Sequence, residues 1–472
     1  MKNIYKLLTA LLCAGVMSAS VVSCSSDEES SNKSPNPPDP NPAFEVIEEQ
    51  NVNAEDMMEM VYTGNEENAL PEDLAAQQSN KEDLEKQLQE LNDQISGGNG
   101  TYHRNVTYKV VTLKYNSIDG NGDPITLSGK LTLPQVSGDY VMIEDFLLNC
   151  HATNMDFTGN GISNAMFKEM AAYSFAVLDP DYIGFGVTNG KRQTYLCQKL
   201  IARQCVDMEL AAIEYMKQQG IKFKDGYGTY VTGYSQGGGN AMAVGRHLQV
   251  TSEGREANKQ VKLKGLYCGA GPYSPIGTFQ HWLESDSLCL TAVLSMVIKG
   301  QQEGHSDIMK GIQLTSYFSD EYLASGVPQA FDENDIDKAM LTLLGDAKLT
   351  TIKYPDPEVK TAYENLMGLP WMQFSKIMSD EFKNPNSHIR QALLQCLEME
   401  RVDDWTPTVP VEIYTAPRDN VIPVKANAIS VYEKFKNEGA PVTLSYAGSL
   451  ANHITAQIAW TNHVKGILKN LE

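Results

Sequence analysis

The chain has 472 residues, of which 42% are hydrophobic, enough to bury one large core and an accessory segment. Its formal net charge of −21 at pH 7 argues against a nucleic-acid partner and against electrostatic docking to anionic lipid. We therefore expect one main domain that carries an insertion and takes a neutral or weakly charged ligand; the sequence does not indicate an oligomeric state.

The first 23 residues have the pattern of an export signal. Lys2 and Lys6 begin it, and the apolar stretch at 7–16 is too short to cross a bilayer as a helix of the mature protein. The Val-Val-Ser-Cys sequence that follows resembles a bacterial lipobox, which implies cleavage before Cys24 and lipidation of its thiol. An ordinary secretory signal with an incidental cysteine is the alternative. We expect a lipid anchor to be the only membrane attachment, in the bacterial cell envelope, with the outer membrane favoured and the periplasmic or surface face left open.

The segment between this signal and the main domain divides into two parts. Residues 24–43 are rich in proline, serine and asparagine, which predicts a disordered tether. Residues 44–100 predict an N-terminal helical extension, because two helical patterns lie between 44 and 95 and a Gly-Gly-Asn-Gly sequence then ends the second. We expect the extension to pack on the outside of the main domain.

Strand and helix patterns alternate in the two parts of the main domain, 101–275 and 406–472. Two alternating apolar and polar stretches, 106–113 and 126–133, flank an Asp-Gly-Asn-Gly turn and predict a hairpin. Short β-rich or apolar runs predict further strands, and helical periods predict the helices between them. The strands are 146–150, 175–178, 228–232, 263–268, 411–414 and 442–446, and the clearest helices are 201–215 and 454–471. This alternation predicts an α/β fold with a mostly parallel sheet, helices on both faces and a site at the C-terminal strand ends.

Residues 276–405 lack the strand pattern. They are rich in methionine, leucine and aromatic residues at helical spacing, within 288–298, 336–344, 371–377 and 389–397. A helical insertion at this point can fold over the site as a cap. The alternative is a segment that only enlarges the core away from the site.

A Gly-Tyr-Ser-Gln-Gly sequence at 233–237 lies between a strand pattern and a helix pattern. That context is typical of a nucleophile elbow, a tight turn that presents a serine hydroxyl at the edge of a sheet. Gly233 and Gly237 fit the turn because a Cβ at either position would collide with the strand or the helix. Ser235 is therefore the candidate nucleophile, on its context more than on the short pattern alone.

A serine hydroxyl needs a base near neutral pH, and histidine is suited to accept and return its proton while a carboxylate holds its tautomer. After a nucleophile elbow, the acid follows a late strand and the base follows the last strand. Asp419, in the loop after 411–414, is the predicted acid, and His453, in the loop after 442–446, is the predicted base. The histidines elsewhere are interpreted as surface or packing residues: His103, His247, His281, His305, His388 and His463.

The oxyanion of an acyl-transfer intermediate requires backbone donors. The N–H of Gln236, directly after the candidate nucleophile, is one. The second is expected from the loop after 146–150, where the N–H of Thr153 is the first choice and that of Ala152 the second. Because Ala152 carries a Cβ, the loop is expected to avoid positive φ there. His151 is interpreted as a structural histidine that braces this loop.

Beyond Cys13 and Cys24 the chain has six cysteines: Cys150, Cys197, Cys205, Cys268, Cys289 and Cys396. An exported protein can pair such residues. Their neighbours are mostly apolar and no short metal-ligand spacing occurs, so buried free thiols are the favoured interpretation for most of them.

Together these motifs resemble the secretory lipase and plant-cell-wall-degrading esterase branch of the α/β-hydrolases. The resemblance rests on the His-Ala-Thr sequence at 151–153, the Asp-Pro-Asp-Tyr-Ile-Gly-Phe-Gly sequence at 179–186, the elbow, Pro423 after the acid, and His453. It covers about residues 108–471 and is faint in the insertion. It implies hydrolysis of a carboxylic ester through a serine acyl-enzyme, without metal or cofactor, on a small-molecule, lipid or carbohydrate ester.

Two other functions stay open on the sequence. The same side chains serve serine peptidases and acyltransferases, although no repeated strand-rich block of the kind that gates oligopeptidases precedes the domain. A non-catalytic, surface-binding lipoprotein that keeps the fold as a scaffold is the third possibility, since fold alone does not secure activity. For 181–186, lining the mouth of the site and forming a purely structural turn are equally favoured.

Overall fold

The computed structural model describes residues 44–53, 103, 106–153, 167–288, 291–324, 326, 328–329, 373–453 and 455–471. Within them the strands are β1 (Phe44–Val52), β2 (Val106–Ile118), β3 (Pro124–Val136), β4 (Asp139–Tyr140), β5 (Asp145–Cys150), β6 (Phe175–Pro180), β7 (Thr229–Tyr234), β8 (Leu263–Gly269), β9 (Val411–Thr415) and β10 (Val442–Tyr446). They form one sheet in the order β1-β2-β3-β6-β5-β7-β8-β9-β10, with β4 paired to β3.

The sheet is antiparallel at one end and parallel over the rest. β2 and β3 form the predicted hairpin, with Val106 opposite Val136 and Ile118 opposite Pro124, and β3 pairs antiparallel with β6. From β6 through β5, β7, β8, β9 and β10 every pair is parallel. The predicted α/β fold with a mostly parallel sheet is therefore confirmed. Chain order reverses across β5 and β7, so the loops that leave these two strands diverge and open a crevice at the sheet edge.

Strand β1 lies where the sequence predicted a helix. Residues 44–52, expected to begin a helical extension, form β1 antiparallel to β2, with Phe44 opposite Tyr115 and Val52 opposite Tyr108. Pairing with a neighbouring strand overrides weak local preference, and the exposed glutamates of β1 protect this sheet edge from further pairing. The remainder of the predicted extension, residues 54–100, lies outside the described residues.

The described helices lie on both faces of the sheet and in the insertion. They are α1 (Gln198–Gln218), α2 (Gln236–Val250), α3 (Ser252–Val261), α4 (Pro275–Ser285), α5 (Thr291–Gly304), α6 (Asp320–Leu323), α7 (Phe374–Ile377), α8 (Asp380–Lys383), α9 (His388–Met399), α10 (Ser430–Asn437) and α11 (Thr455–Leu468). Helices α1, α2, α3 and α10 share one hydrophobic cluster with the sheet, and α11 packs in a second cluster with the 3-10 turn at Lys168–Tyr173. These layers fix the strand ends that carry the site.

Helices α4 to α9 belong to the predicted 276–405 insertion, whose described part we call the cap. They form a third hydrophobic cluster together with Tyr195 and Leu196 of the main domain. In it the Phe279 ring meets the Phe374 ring edge-on at 5.4 Å. Serine N-caps set four of the helix starts in the cap, because their hydroxyls accept hydrogen bonds from backbone N–H groups in the first turns of α4, α6, α8 and α9. These serines are Ser274, Ser319, Ser379 and Ser387. The helix predicted at 336–344 lies outside the described residues.

No helix in the described ranges combines the length and hydropathy that crossing a bilayer requires.

All five cysteines within the described ranges are buried free thiols: Cys150, Cys197, Cys205, Cys268 and Cys396. This agrees with the sequence interpretation for these five, and Cys289 lies outside the described residues.

Candidate active site

Ser235 occupies the turn between β7 and α2 in a strained backbone conformation. Its φ of 56° and ψ of −122° are rare for a residue with a Cβ, and its N–H donates to Gly269 O at 2.8 Å. A Cβ built on Gly233 would collide with the carbonyl of Gly237, and one built on Gly237 would collide with the carbonyl of Cys150. The glycines therefore allow the close approach that the turn requires, as the sequence predicted.

Three predicted side chains form one hydrogen-bonded row. His453 Nε2 lies 2.8 Å from Ser235 Oγ, and His453 Nδ1 lies 2.7 Å from Asp419 Oδ2. A carboxylate only accepts hydrogen bonds, so Nδ1 carries the imidazole proton and the Nε2 lone pair faces the serine hydroxyl. We call Ser235, His453 and Asp419 the Ser235 cluster. Residues separated by 218 and 34 positions in sequence thus meet at one edge of the sheet.

The loops after β9 and β10 hold the acid and the histidine in place. The Asp419 side chain has no exposed surface, and its Oδ1 accepts hydrogen bonds from the N–H groups of Val421 and Ile422 at 2.9 and 2.7 Å. The Tyr234 hydroxyl donates to the carbonyl of His453, and the two rings are 5.4 Å apart. Tyr234 is a positioning residue that the sequence did not single out; its place directly before the nucleophile was the available signal.

A cavity opens above Ser235 and measures about 940 Å³ when its open mouth is included. Ser235, Gln236 and His453 line it, together with apolar side chains from the cap and neighbouring loops. In the described part of the chain no lysine, arginine, aspartate or glutamate lines it. Its apolar wall residues include Leu196, Phe279, Trp282, Val293, Val297, Leu397, Val421 and Ile422. The cap therefore lies over the Ser235 cluster and does not merely enlarge a distant core.

Solved structures share this architecture across most of the chain. A ligand-bound rice cell wall degrading esterase LipA from Xanthomonas oryzae matches with a TM-score of 0.60 and 17% identity, over 90% of this chain and 96% of that one. A Legionella pneumophila protein matches with a TM-score of 0.59 and 15% identity, over 90% and 97%. Candida antarctica lipase A matches with a TM-score of 0.50 and 13% identity, over 74% of each chain.

The chain has the α/β-hydrolase fold. No family model matches the sequence, and no curated protein sequence matches it. The α/β-hydrolase fold places a nucleophile, an acid and a base in that chain order. Ser235, Asp419 and His453 follow β7, β9 and β10 in the same order.

The two residues predicted to supply oxyanion donors line the same cavity as Ser235. Gln236 follows Ser235 and begins α2, and Thr153 lies in the loop after β5. The loop avoids positive φ at Ala152, as expected for a residue with a Cβ. The Thr153 hydroxyl lies 2.8 Å from the Tyr195 hydroxyl, which ties the loop after β5 to a cavity-lining residue ahead of α1. Tyr195 had no motif to mark it in the sequence.

His151 braces the base of this α/β-hydrolase loop. Its ring stacks on Tyr182 at 3.8 Å and meets Phe185 edge-on at 5.2 Å, while Nδ1 donates to the carbonyl of Ala152 at 2.8 Å. Burial lowers the pKa of His151 from 6.5 to about 4, so the ring is neutral at physiological pH. This geometry fits a structural histidine, as interpreted from the sequence.

The segment at 181–186 supports that loop and is absent from the described cavity lining. Asp181 accepts a hydrogen bond from the Ser128 hydroxyl at 2.7 Å, and a Cβ on Gly186, whose φ is 53°, would collide with both side chains. Burial raises the pKa of Asp181 to about 6. Of the two interpretations left open, the structural turn fits this geometry.

The histidines outside the predicted loops lie away from Ser235 or bond elsewhere. His103 Nε2 pairs with the Ser174 hydroxyl, and His463 Nε2 contacts the carboxylate of Glu412. His247 is buried in α2 beside Thr251, and burial lowers its pKa. His305 contacts Glu400 at the edge of the cap.

Proposed function

We propose that this protein is a serine hydrolase of carboxylic esters. The observation that carries the proposal is the row of hydrogen bonds from Asp419 through His453 to Ser235, placed beneath a cavity with an open mouth. The likeness in fold to an esterase and a lipase supports an ester as the substrate.

In the first half of the proposed reaction, Ser235 Oγ attacks the acyl carbon while His453 Nε2 takes the hydroxyl proton. Asp419 stabilises the imidazolium that forms, and the N–H groups of Gln236 and Thr153 donate to the oxyanion. His453 then gives its proton to the leaving alcohol, which breaks the ester bond and leaves the acyl group on Ser235. Each oxyanion donor is worth about 10²–10³ in kcat.

In the second half, water replaces the alcohol. His453 accepts a proton from the water as its oxygen attacks the acyl carbon, and the same backbone donors stabilise the second oxyanion. Return of that proton to Ser235 Oγ releases the acid and restores the enzyme. These steps consume one water per ester and need only the residues of the chain.

The cavity favours a neutral ester with an apolar acyl group. Most of the residues that line it are aliphatic or aromatic, and the described lining includes no lysine, arginine, aspartate or glutamate. Burying an unpaired charge against such walls is costly, whereas each methylene buried there contributes about 0.8 kcal/mol. Fatty or aromatic acyl esters of uncharged alcohols, including carbohydrate alcohols, fit these requirements.

A p-nitrophenyl ester series tests the proposal. The wild type should hydrolyse these esters with a burst of one p-nitrophenol per enzyme where deacylation limits the rate, and Ser235→Ala should abolish the reaction. Ser252→Ala, at an exposed position at the start of α3, is the matched control. A folded wild type that cleaves no acyl chain length contradicts the proposal; faster cleavage of a matched amide indicates a peptidase.

We also propose that the mature protein is tethered to the cell envelope through lipid on Cys24. The lipobox-like sequence and the proline-rich residues after it support this; residues 1–43 lie outside the described part of the chain. Metabolic labelling with palmitate in a Gram-negative host should label the wild type and not Cys24→Ala. Equal labelling of both proteins contradicts the anchor without affecting the proposed chemistry.

A further inference from the structure

A second group of reactive side chains lies where the cap meets the main domain. Cys197 directly precedes α1, His305 follows α5, and Glu400 follows α9. The cysteine sulfur, an imidazole nitrogen and a carboxylate oxygen all lie within 4.8 Å of one another. We call these three residues the Cys197 cluster. Its members come from segments more than 90 residues apart, so no short sequence motif marks it.

The cluster is enclosed by protein. Cys197 is 1% exposed and Glu400 is 3% exposed, while the His305 side chain is 12% exposed. A carboxylate at this depth needs hydrogen-bond donors. The His305 side chain supplies one, since its Nε2 lies 2.8 Å from Glu400 Oε1.

Neighbouring groups orient the possible ligands. The backbone N–H of Lys199 donates to Glu400 Oε2 at 3.0 Å, and Gln198 Nε2 donates to the Glu400 carbonyl at 3.1 Å. Gln301 Nε2 lies 3.7 Å from the Cys197 sulfur. Such outer contacts hold ligand side chains in metal sites.

Gln301, beside the cluster, has a buried polar atom that lacks a hydrogen-bond partner among the described residues. The residue is fully buried, and its Oε1 has no hydrogen-bond partner in the described part of the chain. A buried amide oxygen without a partner is costly. A water molecule held beside the cluster would supply the missing hydrogen bond.

We propose that the Cys197 cluster binds one zinc ion that fastens the cap to the main domain. Thiolate, imidazole and carboxylate are all zinc ligands, and water completes four-coordination. Binding releases the Cys197 thiol proton to solvent. It also moves the His305 ring proton from Nε2 to Nδ1, which frees Nε2 as a ligand. Thiolate and carboxylate then balance the charge of the ion. The thiol hydrogen bond to Gly300 O, now 3.2 Å, is given up. Zinc–ligand distances of about 2.0–2.3 Å require His305 and Glu400 to separate by roughly 0.5 Å.

The ion would stabilise one wall of the cavity without taking part in ester chemistry. Leu196 is adjacent to Cys197, and Leu397 lies one turn before Glu400; both line the cavity. A single ion would hold the N-terminus of α1 against the ends of α5 and α9. The proposal is independent of the reaction assigned to Ser235.

The test uses the purified full-length protein after removal of metal with a chelator. Zn²⁺ should bind in a 1:1 ratio, release about one proton and raise Tm by about 5 °C at saturating metal. Co²⁺ should bind at the same site with a thiolate-to-cobalt charge-transfer absorption, which reports a bound sulfur whether or not the enzyme is active.

Variants assign the site. Cys197→Ser should lose the absorption, whereas Cys205→Ser, at another buried thiol, should keep it. His305→Gln and Glu400→Gln should each weaken binding at least about tenfold. If Cys197→Ser does not fold, the presence or absence of the thiolate-to-cobalt absorption in the wild type tests whether a cysteine binds the metal. Substoichiometric binding by the wild type, cobalt binding without the thiolate absorption, or an absorption that survives in Cys197→Ser overturns the proposal.

Discussion

The Ser235 cluster and the Cys197 cluster contain the same three kinds of group, a nucleophile, an imidazole and a carboxylate, in different arrangements. In the first, the imidazole lies between the other two groups and hydrogen-bonds to both. In the second, the imidazole pairs with the carboxylate, and the thiol donates to a backbone carbonyl. Of the two clusters, only the Ser235 cluster gives its nucleophile a direct path for proton transfer to the imidazole. The different roles that we propose for the two clusters therefore rest on the arrangement of the groups more than on their composition.

The two clusters also differ in what reaches them. Ser235 lines a cavity with an open mouth, whereas Cys197 is 1% exposed and is not among the residues that line that cavity. This difference agrees with the proposed roles, an ester substrate at the hydroxyl and a small ion at the sulfur.

Ser235→Ala removes the proposed nucleophile. We expect kcat/KM for a p-nitrophenyl ester to fall by about 10⁶-fold, because the remaining groups cannot form an acyl-enzyme. Steady-state kinetics with the folded variant measures this, and Ser252→Ala should stay at the wild-type rate. Substantial activity in Ser235→Ala would show that another residue is the nucleophile. It would also contradict the difference in role that we propose for the two clusters.

Asp419→Asn tests the acid. An amide at this position no longer fixes the imidazole tautomer, so we expect kcat to fall by about 10⁴ with little change in KM. Asp404→Asn is the control, since Asp404 is an exposed partner of Arg246 away from the cavity. Equal rates for Asp419→Asn and the wild type would show that the imidazole works without this carboxylate.

Val293→Phe tests the cavity as the acyl site. Val293 lines the cavity from α5, and a larger side chain there should shorten the space above Ser235. We expect kcat/KM for long acyl chains to fall at least about tenfold while that for acetyl esters is retained. Val250→Phe, at a surface position of α2, should leave the chain-length profile unchanged. An equal fall in kcat/KM for all acyl chain lengths would contradict the assignment of the cavity as the acyl site.

Tyr195→Phe tests the support of the oxyanion loop. Loss of the hydroxyl bonded to Thr153 should lower kcat about fivefold and leave KM unchanged, because the Thr153 N–H is proposed to donate to the oxyanion and not to the bound ester. Tyr446→Phe, at an exposed position, is the control. A change in KM alone would assign Tyr195 to substrate binding.

The buried carboxyl groups of Glu209 and Asp419 differ in their hydrogen bonds, and we expect Glu209 to make the stability of the protein depend on pH. Asp419 accepts hydrogen bonds from His453, Val421 and Ile422, whereas in the described residues Glu209 accepts one from Thr229 and keeps a buried oxygen without a partner. Burial raises the pKa of Glu209 from 4.5 to about 8. The unfolded chain therefore loses this proton first, and the carboxyl lowers stability as pH rises from about 4.5 to about 8.

Glu209→Gln removes that titration and keeps an oxygen for Thr229. At pH 8 the variant should exceed the wild type in free energy of unfolding by at least about 1 kcal/mol, and this advantage should shrink towards pH 5. Urea titrations at both pH values measure it. If the variant and the wild type differ by the same free energy of unfolding at pH 8 and at pH 5, Glu209 does not titrate between these pH values.

The sequence predicted the fold and the candidate site where local chemistry is strong. The strained turn at Ser235 needs glycine on both sides, and the order of nucleophile, acid and base follows from strands that were visible as apolar runs. The helical prediction for residues 44–52 was wrong, because pairing with β2 decides the conformation of this weakly patterned segment.

Features that depend on distant contacts were not accessible to sequence reasoning. The Tyr195 hydroxyl contacts the Thr153 hydroxyl across 42 residues, and the Cys197 cluster joins three distant segments. No periodicity or short motif encodes such contacts. They follow from the tertiary structure alone.

Labelling with a fluorophosphonate, followed by mass spectrometry of the peptides, tests the central claim most directly. The reagent modifies a serine only where a base activates it and solvent reaches it. We predict a single adduct on Ser235 in the wild type and its loss in His453→Ala. A folded wild type that carries no adduct on Ser235, or an adduct that forms equally well in His453→Ala, would contradict the account.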